Sequence, residues 1–221
     1  EAELLFIDVL GCDRASLYLN KDKIIDKKSA LSVAAALKRR FQGEPIQYIL
    51  GKAEFMGLDF EVNPDVLIPR PETEILVETA IRLSCVINKN KKGPLRILDL
   101  CTGSGCIAVS LAASIAAAEV TASDISQAAI NTACVNARNN KVKINFILSD
   151  LFSRIAPSDY DMIVSNPPYI SSAEFACLQP EIYFEPRIAL HAGDDGMSFY
   201  RRIIKDATAY LKKNGFLIME M

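Results

Sequence analysis

From Leu95 onward the chain alternates strand with helix, and this alternation constrains its fold more than any other feature. Leu95-Arg96-Ile97-Leu98-Asp99-Leu100 is a compact apolar strand, and residues 106–118 form a helix of small apolar residues. Val120-Thr121-Ala122-Ser123 is a second strand. A helix follows over 126–139, with Ser126 as its N-cap. Ile144-Asn145-Phe146-Ile147-Leu148 is a third strand and residues 161–165 a fourth. After a long loop come a helix over 197–212 and a fifth strand over 215–220. Short apolar runs separated by helix-length segments cannot pair as hairpins. They predict a parallel, doubly wound α/β sheet with right-handed crossovers.

Upstream, residues 1–42 are rich in strong helix formers and predict a small helical subdomain. Gly43-Glu44-Pro45 punctuates the chain, and residues 53–62 alternate around Gly57 as a β-hairpin does. Ile68-Pro69-Arg70-Pro71-Glu72-Thr73-Glu74 then leads into a helix. Pro71 suits its first position, and Ile75, Leu76, Thr79, Ala80 and Leu83 form its buried stripe. Residues 67–221 are read as one domain and 43–66 as the linker to it. The chain stops within an apolar, strand-like run, which reads as a truncated sheet.

Between the first sheet strand and its helix lies Cys101-Thr102-Gly103-Ser104-Gly105. Glycine permits a tight turn with close backbone approach, and free N–H groups at a helix start attract anions. The second strand ends at Asp124, about 20 residues on, where an acid bonds ribose hydroxyls. Together these indicate a nucleoside cofactor. Gly103-x-Gly105-x-x-Ala108 also fits the dinucleotide fingerprint, so the turn alone does not choose between cofactors.

The fourth strand ends in Asn166-Pro167-Pro168-Tyr169. Two consecutive prolines lack N–H donors and hold φ near −65°, and they push Asn166 towards extended backbone. The result is a stiff corner where open α/β sheets place ligands. It offers an amide, a bare carbonyl and an aromatic face, which suit a flat, nitrogen-bearing substrate. With this corner added, S-adenosylmethionine becomes the better cofactor, because nicotinamide chemistry has no evident use for such a cradle.

Composition narrows the field. The 221 residues carry a net charge of −2, which argues against broad nucleic-acid binding. The Lys-rich stretch over 88–92 reads as a solvated linker. Six cysteines without a Cys-x-x-Cys pair, and a single histidine, His191, argue for reduced thiols in a cytoplasmic protein without a metal site. No apolar run is long enough to span a membrane.

The combination resembles the class I methyltransferases, and more narrowly the HemK/PrmC family, which methylates a glutamine side-chain nitrogen in peptide-chain release factors. Gly43-Glu44-Pro45-Ile46-Gln47-Tyr48, with Gly51 and Glu54-Phe55, resembles the family's connecting hairpin. Leu67-Ile68-Pro69-Arg70-Pro71-Glu72-Thr73-Glu74 is similar to its entry into the catalytic domain. Ser165-Asn166-Pro167-Pro168-Tyr169-Ile170, with Phe184-Glu185-Pro186, is similar to its active-site strand and trailing loop.

The resemblance implies a Rossmann-like methyltransferase domain, a helical substrate-recognition subdomain and S-adenosylmethionine as cofactor. It implies that Cys101, Thr102, Gly103, Ser104 and Gly105 form the cofactor turn, with Cys101 where the family often has glycine. Asp124 is implied to hold the ribose and Leu151 to lie against the adenine. Asn166 is implied to border both cofactor and substrate. Asn166, Pro167, Pro168 and Tyr169 would then be catalytic, and release factors the partners of a monomer. Arg70 either approaches the cofactor or anchors the linker. Three rivals share the sequence evidence. They are a methyltransferase for adenine or guanine exocyclic nitrogen, a cofactor-binding scaffold without turnover, and a nicotinamide oxidoreductase.

Overall fold

A computed structural model describes residues 1–20, 22, 24–88 and 93–221. Three helices open the chain: α1 (Ala2–Leu10), α2 (Arg14–Leu19) and α3 (Lys27–Phe41). Asp13 and Asp26 cap the second and third, accepting from the N–H of Ser16 and from those of Lys28 and Ser29. A further short helix, α4 (Ile46–Leu50), lies in what reads from sequence as linker. Its Tyr48 hydroxyl donates to the Val66 carbonyl at 2.5 Å. The hairpin β1 (Lys52–Phe55) and β2 (Leu58–Glu61) turns at Met56-Gly57, both with positive φ, as a two-residue turn between twisted strands requires.

The helix α5 (Thr73–Asn88) leads into the sheet. Its buried residues are Thr73, Leu76, Val77, Ala80 and Ser84; of the predicted stripe, Leu76 and Ala80 are buried, Thr79 and Leu83 are partly buried, and Ile75 is 64% exposed. Thr73 faces inwards to meet Asn166, and Ile75 lies about 200° further round the helix, on the opposite side. Pro71 also sits in the turn before the helix rather than at its first position.

Five parallel strands follow: β3 (Leu95–Leu100), β4 (Ala118–Asp124), β5 (Ile144–Leu148), β6 (Tyr160–Ser165) and β7 (Leu211–Met219). Their order is β5-β4-β3-β6-β7, so the winding reverses between β3 and β6. Helices α5, α6 (Cys106–Ser114) and α7 (Gln127–Asn139) cover one face with Phe55 and Phe60 of the hairpin. Beyond the short helix α8 (Ser172–Phe175), helix α9 (Ser198–Ala207), through Ile203 and Ala207, covers the other with Leu151, Phe152 and Ile155. Residues of β3 and β6 are therefore almost all buried, as expected of central parallel strands.

Three element ends differ from the sequence reading. Helix α6 stops at Ser114, because Ile115 turns to extended backbone and buries its side chain. Helix α9 stops at Ala207, and the good helix formers Leu211 and Lys212 join β7 instead. There Lys212 Nζ reaches Asp161 Oδ1 at 2.9 Å, a tertiary contact that overrides local propensity. The Lys-rich stretch beyond Asn88 lies outside the described residues. Among the described residues all six cysteines are unpaired, and no helix is long and apolar enough to cross a membrane.

Candidate active site

Sheet register brings the sequence-predicted groups together. Leu100 pairs with both Ser123 and Ser165, so Cys101, Asp124 and Asn166 leave three adjacent strands at one level. A cleft of about 800 Å³, its open mouth included, lies at this carboxyl edge. Cys101, Gly103, Asp124, Leu151, Asn166 and Pro168 line it. This is the switch point where doubly wound sheets take ligands.

Asp124 shapes the turn as well as the cleft. Its Oδ2 accepts the Gly103 N–H at 2.8 Å and its Oδ1 the Ser126 N–H at 2.9 Å. Burial raises its pKa above the usual carboxylate range, while the Ser126 and Gly103 N–H groups pull it down. Each oxygen keeps a second lone pair, enough for two hydroxyl donors. The neighbouring Ile125 and Leu151 give the cleft apolar walls.

Two residues here hold left-handed backbone without being glycine: Cys101 at φ 59° and Leu151 at φ 46°. Such strain persists only where the surroundings over-determine it, and it collects at functional sites. Around Leu151 the determinant is Ser149. Its Oγ donates to the Leu151 carbonyl at 2.7 Å and accepts from the Arg154 N–H at 3.0 Å.

Thr102, Ser104 and Gly105 belong to the turn but do not line the cleft. Thr102 donates through Oγ1 to Asp99 Oδ2 at 2.6 Å, Ser104 is buried, and Gly105 seats against Ala133, where a Cβ would lie 3.0 Å from that residue's own. Asp99 is fully buried, and burial pushes its pKa up to about 7. Asp99 therefore binds its proton more tightly in the folded state than in the unfolded one. Its contribution is whole below about pH 4 and fades as pH rises through about 7. Asp99→Asn is expected to flatten the fall in Tm between pH 5 and 8. Parallel melting curves for the two proteins across that window would disprove it.

The Ile68-Pro69-Arg70-Pro71-Glu72-Thr73-Glu74 block acts as a junction. Thr73 Oγ1 accepts from Asn166 Nδ2 at 3.2 Å, which turns the amide so that Oδ1 faces away from Thr73. Glu74 Oε1 accepts the Met56 N–H of the hairpin turn at 2.7 Å. Arg70 pairs with Glu185, whose Oε2 also accepts the Ile68 N–H at 3.1 Å. Arg70 thus anchors the trailing loop and is absent from the cleft lining. The Glu185 side chain is 2% exposed and that of Arg70 33%. Glu185→Ala leaves a buried N–H unmet and an arginine able to hydrate. The expected loss is about 2 kcal/mol, read by denaturant unfolding, and no change in midpoint would refute the junction.

Pro167 and Pro168 are buried, and the Pro167 carbonyl accepts no hydrogen bond from the described residues. Tyr169 is half exposed beside them. Residues that sequence reasoning missed include Thr73, Glu185 and Gly196, and Arg202, which meets Asp150 at 2.7 Å at the rim. Thr73 and Glu185 carried a signal, because each lies in a stretch already singled out.

A family model described as "Methyltransferase small domain" matches residues 75–179, and one described as "PrmC N-terminal domain" matches residues 1–51. A protein of Geobacter sulfurreducens named release factor glutamine methyltransferase is 42% identical over 222 residues, covering 100% of this chain and 76% of that protein. One of the same name from Nitratidesulfovibrio vulgaris is 42% identical, covering 99% and 74%. The chain belongs to the release factor glutamine methyltransferase family.

Among solved structures, the hMettl16 catalytic domain in complex with the MAT2A 3'UTR hairpin 6 is similar with a TM-score of 0.51 and 20% identity. The match covers 83% of this chain and 63% of that one. A SAM-dependent methyltransferase from Agrobacterium tumefaciens gives 0.50 and 19%, covering 76% and 51%. These place the fold among Rossmann-like methyltransferases. Family membership accounts for the helices before the sheet as well, since the N-terminal match includes α4.

Proposed function

We propose that this chain transfers a methyl group from S-adenosylmethionine to the side-chain amide nitrogen of a glutamine in peptide-chain release factors. The observation that carries the reading is the single cleft lined by both Asp124 and, from the corner after β6, Asn166 and Pro168. The fit to the cofactor rests on the carboxylate's free lone pairs, the apolar walls and the close-packed turn. When bound, the cofactor supplies an electrophilic sulfonium methyl.

The protein's task follows from the chemistry of the amide. Its nitrogen lone pair is delocalised into the carbonyl, so it is a poor nucleophile. On methylation that nitrogen would gain positive charge, which it would shed by losing one of its protons to water. Asn166 Oδ1 and the Pro167 carbonyl supply two acceptors for the NH₂ hydrogens, which stabilises that charge. The acceptors are rigid before substrate arrives: the two prolines fix the backbone, and Thr73 fixes the Asn166 amide. Holding the amide in one orientation at this corner would lower the entropic barrier to transfer. The Tyr169 ring offers the flat amide a stacking face.

Names of the relatives favour release factors over nucleic-acid bases as substrate, and an acidic chain fits that preference. The test is mass spectrometry of a release factor incubated with this chain and S-adenosylmethionine. One added methyl on the glutamine of the Gly-Gly-Gln loop is expected. Transfer to bulk RNA or DNA with none to the release factor would overturn the assignment.

A further inference from the structure

Asn136 is fully buried in the middle of α7, and none of the chemistry above uses it. Its Oδ1 accepts the Glu61 N–H at 2.7 Å, and its Nδ2 donates to the Glu61 carbonyl at 3.0 Å. The side-chain amide therefore pairs with β2 as the peptide of a third strand would. One helical turn on, Asn140 donates to the Asp59 carbonyl at 3.0 Å, so α7 covers the free edge of the hairpin with amides.

The remaining Nδ2 hydrogen of Asn136 goes to the Ser104 carbonyl at 2.9 Å. Ser104 is the fourth of the five residues in the turn after β3. The next residue, Gly105, meets Ala133 on the same face of α7, one helical turn before Asn136. Two independent contacts thus hang this turn on α7, and one of them continues to the hairpin.

We propose that Asn136 is a positioning residue for the cofactor turn, tying the backbone at Ser104 to the hairpin so that Gly103 and Cys101 face the cleft. The proposal rests on the reading of this cleft as the S-adenosylmethionine site. A side chain that only filled space would tolerate any group of the same size. One that hangs two carbonyls needs its two N–H donors. Aspartate has the same shape and none of these donors, so it separates the two roles.

The full chain is titrated with S-adenosylmethionine by calorimetry, as wild type, Asn136→Asp and Thr132→Val. Thr132 lies on the same face of α7; its Oγ1 accepts from Asn63 Nδ2 at 3.1 Å and donates to the Ala128 carbonyl at 3.2 Å, and neither partner belongs to the turn after β3, so its variant controls for general loosening of the hairpin. Asn136→Asp is expected to weaken cofactor binding at least about tenfold, the range of one unmet buried hydrogen bond, with KM for the release factor unmoved. Thr132→Val keeps wild-type cofactor affinity. A smaller loss in Asn136→Asp overturns the proposal, and so does an equal loss in Thr132→Val.

Hydrogen exchange on the wild type decides the matter even if the variants do not fold. Added cofactor is expected to slow exchange at Glu61 together with Gly105 while leaving α1 unchanged. Glu61 exchange that ignores the cofactor overturns the coupling. A wild-type chain that binds no cofactor at all refutes the reading of the cleft instead, which is a separate result.

Discussion

Asn166→Ala lowers kcat for methyl transfer by at least about 10²-fold, the usual loss when one aimed polar group is removed from a reacting centre. S-adenosylmethionine affinity falls far less. The asymmetry follows from what each side of the cleft does. The groups proposed to hold the cofactor are spread over the turn after β3, Asp124 and the apolar walls of the cleft, and most remain in the variant. The proposed mechanism, by contrast, gives the substrate amide two acceptors, and the variant deletes one of them. The acceptors matter most when the nitrogen carries positive charge, so the loss belongs in kcat rather than in KM. Thr73 loses its partner as well, but its hydroxyl can turn towards the space left behind. Single-turnover kinetics with saturating cofactor and release factor give the measurement. A variant that turns over at close to the wild-type rate removes Asn166 from the chemistry.

Much of this site was legible in the sequence, for a definite physical reason. Cys101 and Asn166 directly follow β3 and β6, Asp124 ends β4 and Gly103 comes two residues after Cys101, and parallel strands in register deliver what stands at their ends to one edge. Periodicity locates the strands, and topology does the rest. The same logic explains why Thr102, Ser104 and Gly105 were placed at the site yet do not line it. Consecutive turn residues point in different directions, and only backbone dihedrals decide which of them face the cleft.

What stayed hidden depends on long-range pairing. Arg70 and Glu185 stand 115 residues apart, and Asn136 and Glu61 stand 75 apart. No local pattern indicates that an asparagine within an apolar helix face serves as a strand mimic. Ile75 shows the reverse error. Local periodicity put it in the core, but a single polar contact at Thr73 rotated the helix away from that choice. Lys212 likewise reads as helix and becomes strand, because a buried-edge aspartate pairs with it.

Gly196→Ala is the sharpest test of the substrate corner. Gly196 has φ 71°, and a Cβ there would lie 2.4 Å from the Tyr169 carbonyl oxygen and 3.4 Å from its carbon. Both are backbone atoms, so no side chain can swing aside. Nor can either segment move alone. Ile170 N–H donates to the Leu190 carbonyl at 2.9 Å, Ala192 N–H to the Ile170 carbonyl at 2.8 Å, and Ser172 N–H to the Gly193 carbonyl at 2.9 Å. The added methyl therefore pushes on the Tyr169 peptide, one residue beyond Pro168.

A displacement of about 1 Å at a reacting centre costs on the order of 10²-fold in rate, so kcat is expected to fall by about 10- to 100-fold. Left-handed alanine and overpacking together cost about 2–4 kcal/mol of stability. Gly193→Ala is the matched control, because its φ of 82° is similar but its nearest neighbour is the Ser198 side chain at 3.8 Å. It bears only the left-handed cost of about 1 kcal/mol and keeps its activity. The two substitutions thus share conformational strain and differ in steric pressure on Tyr169. If both lower kcat alike, the corner is not being held by Gly196, and backbone strain in the loop is the cause instead.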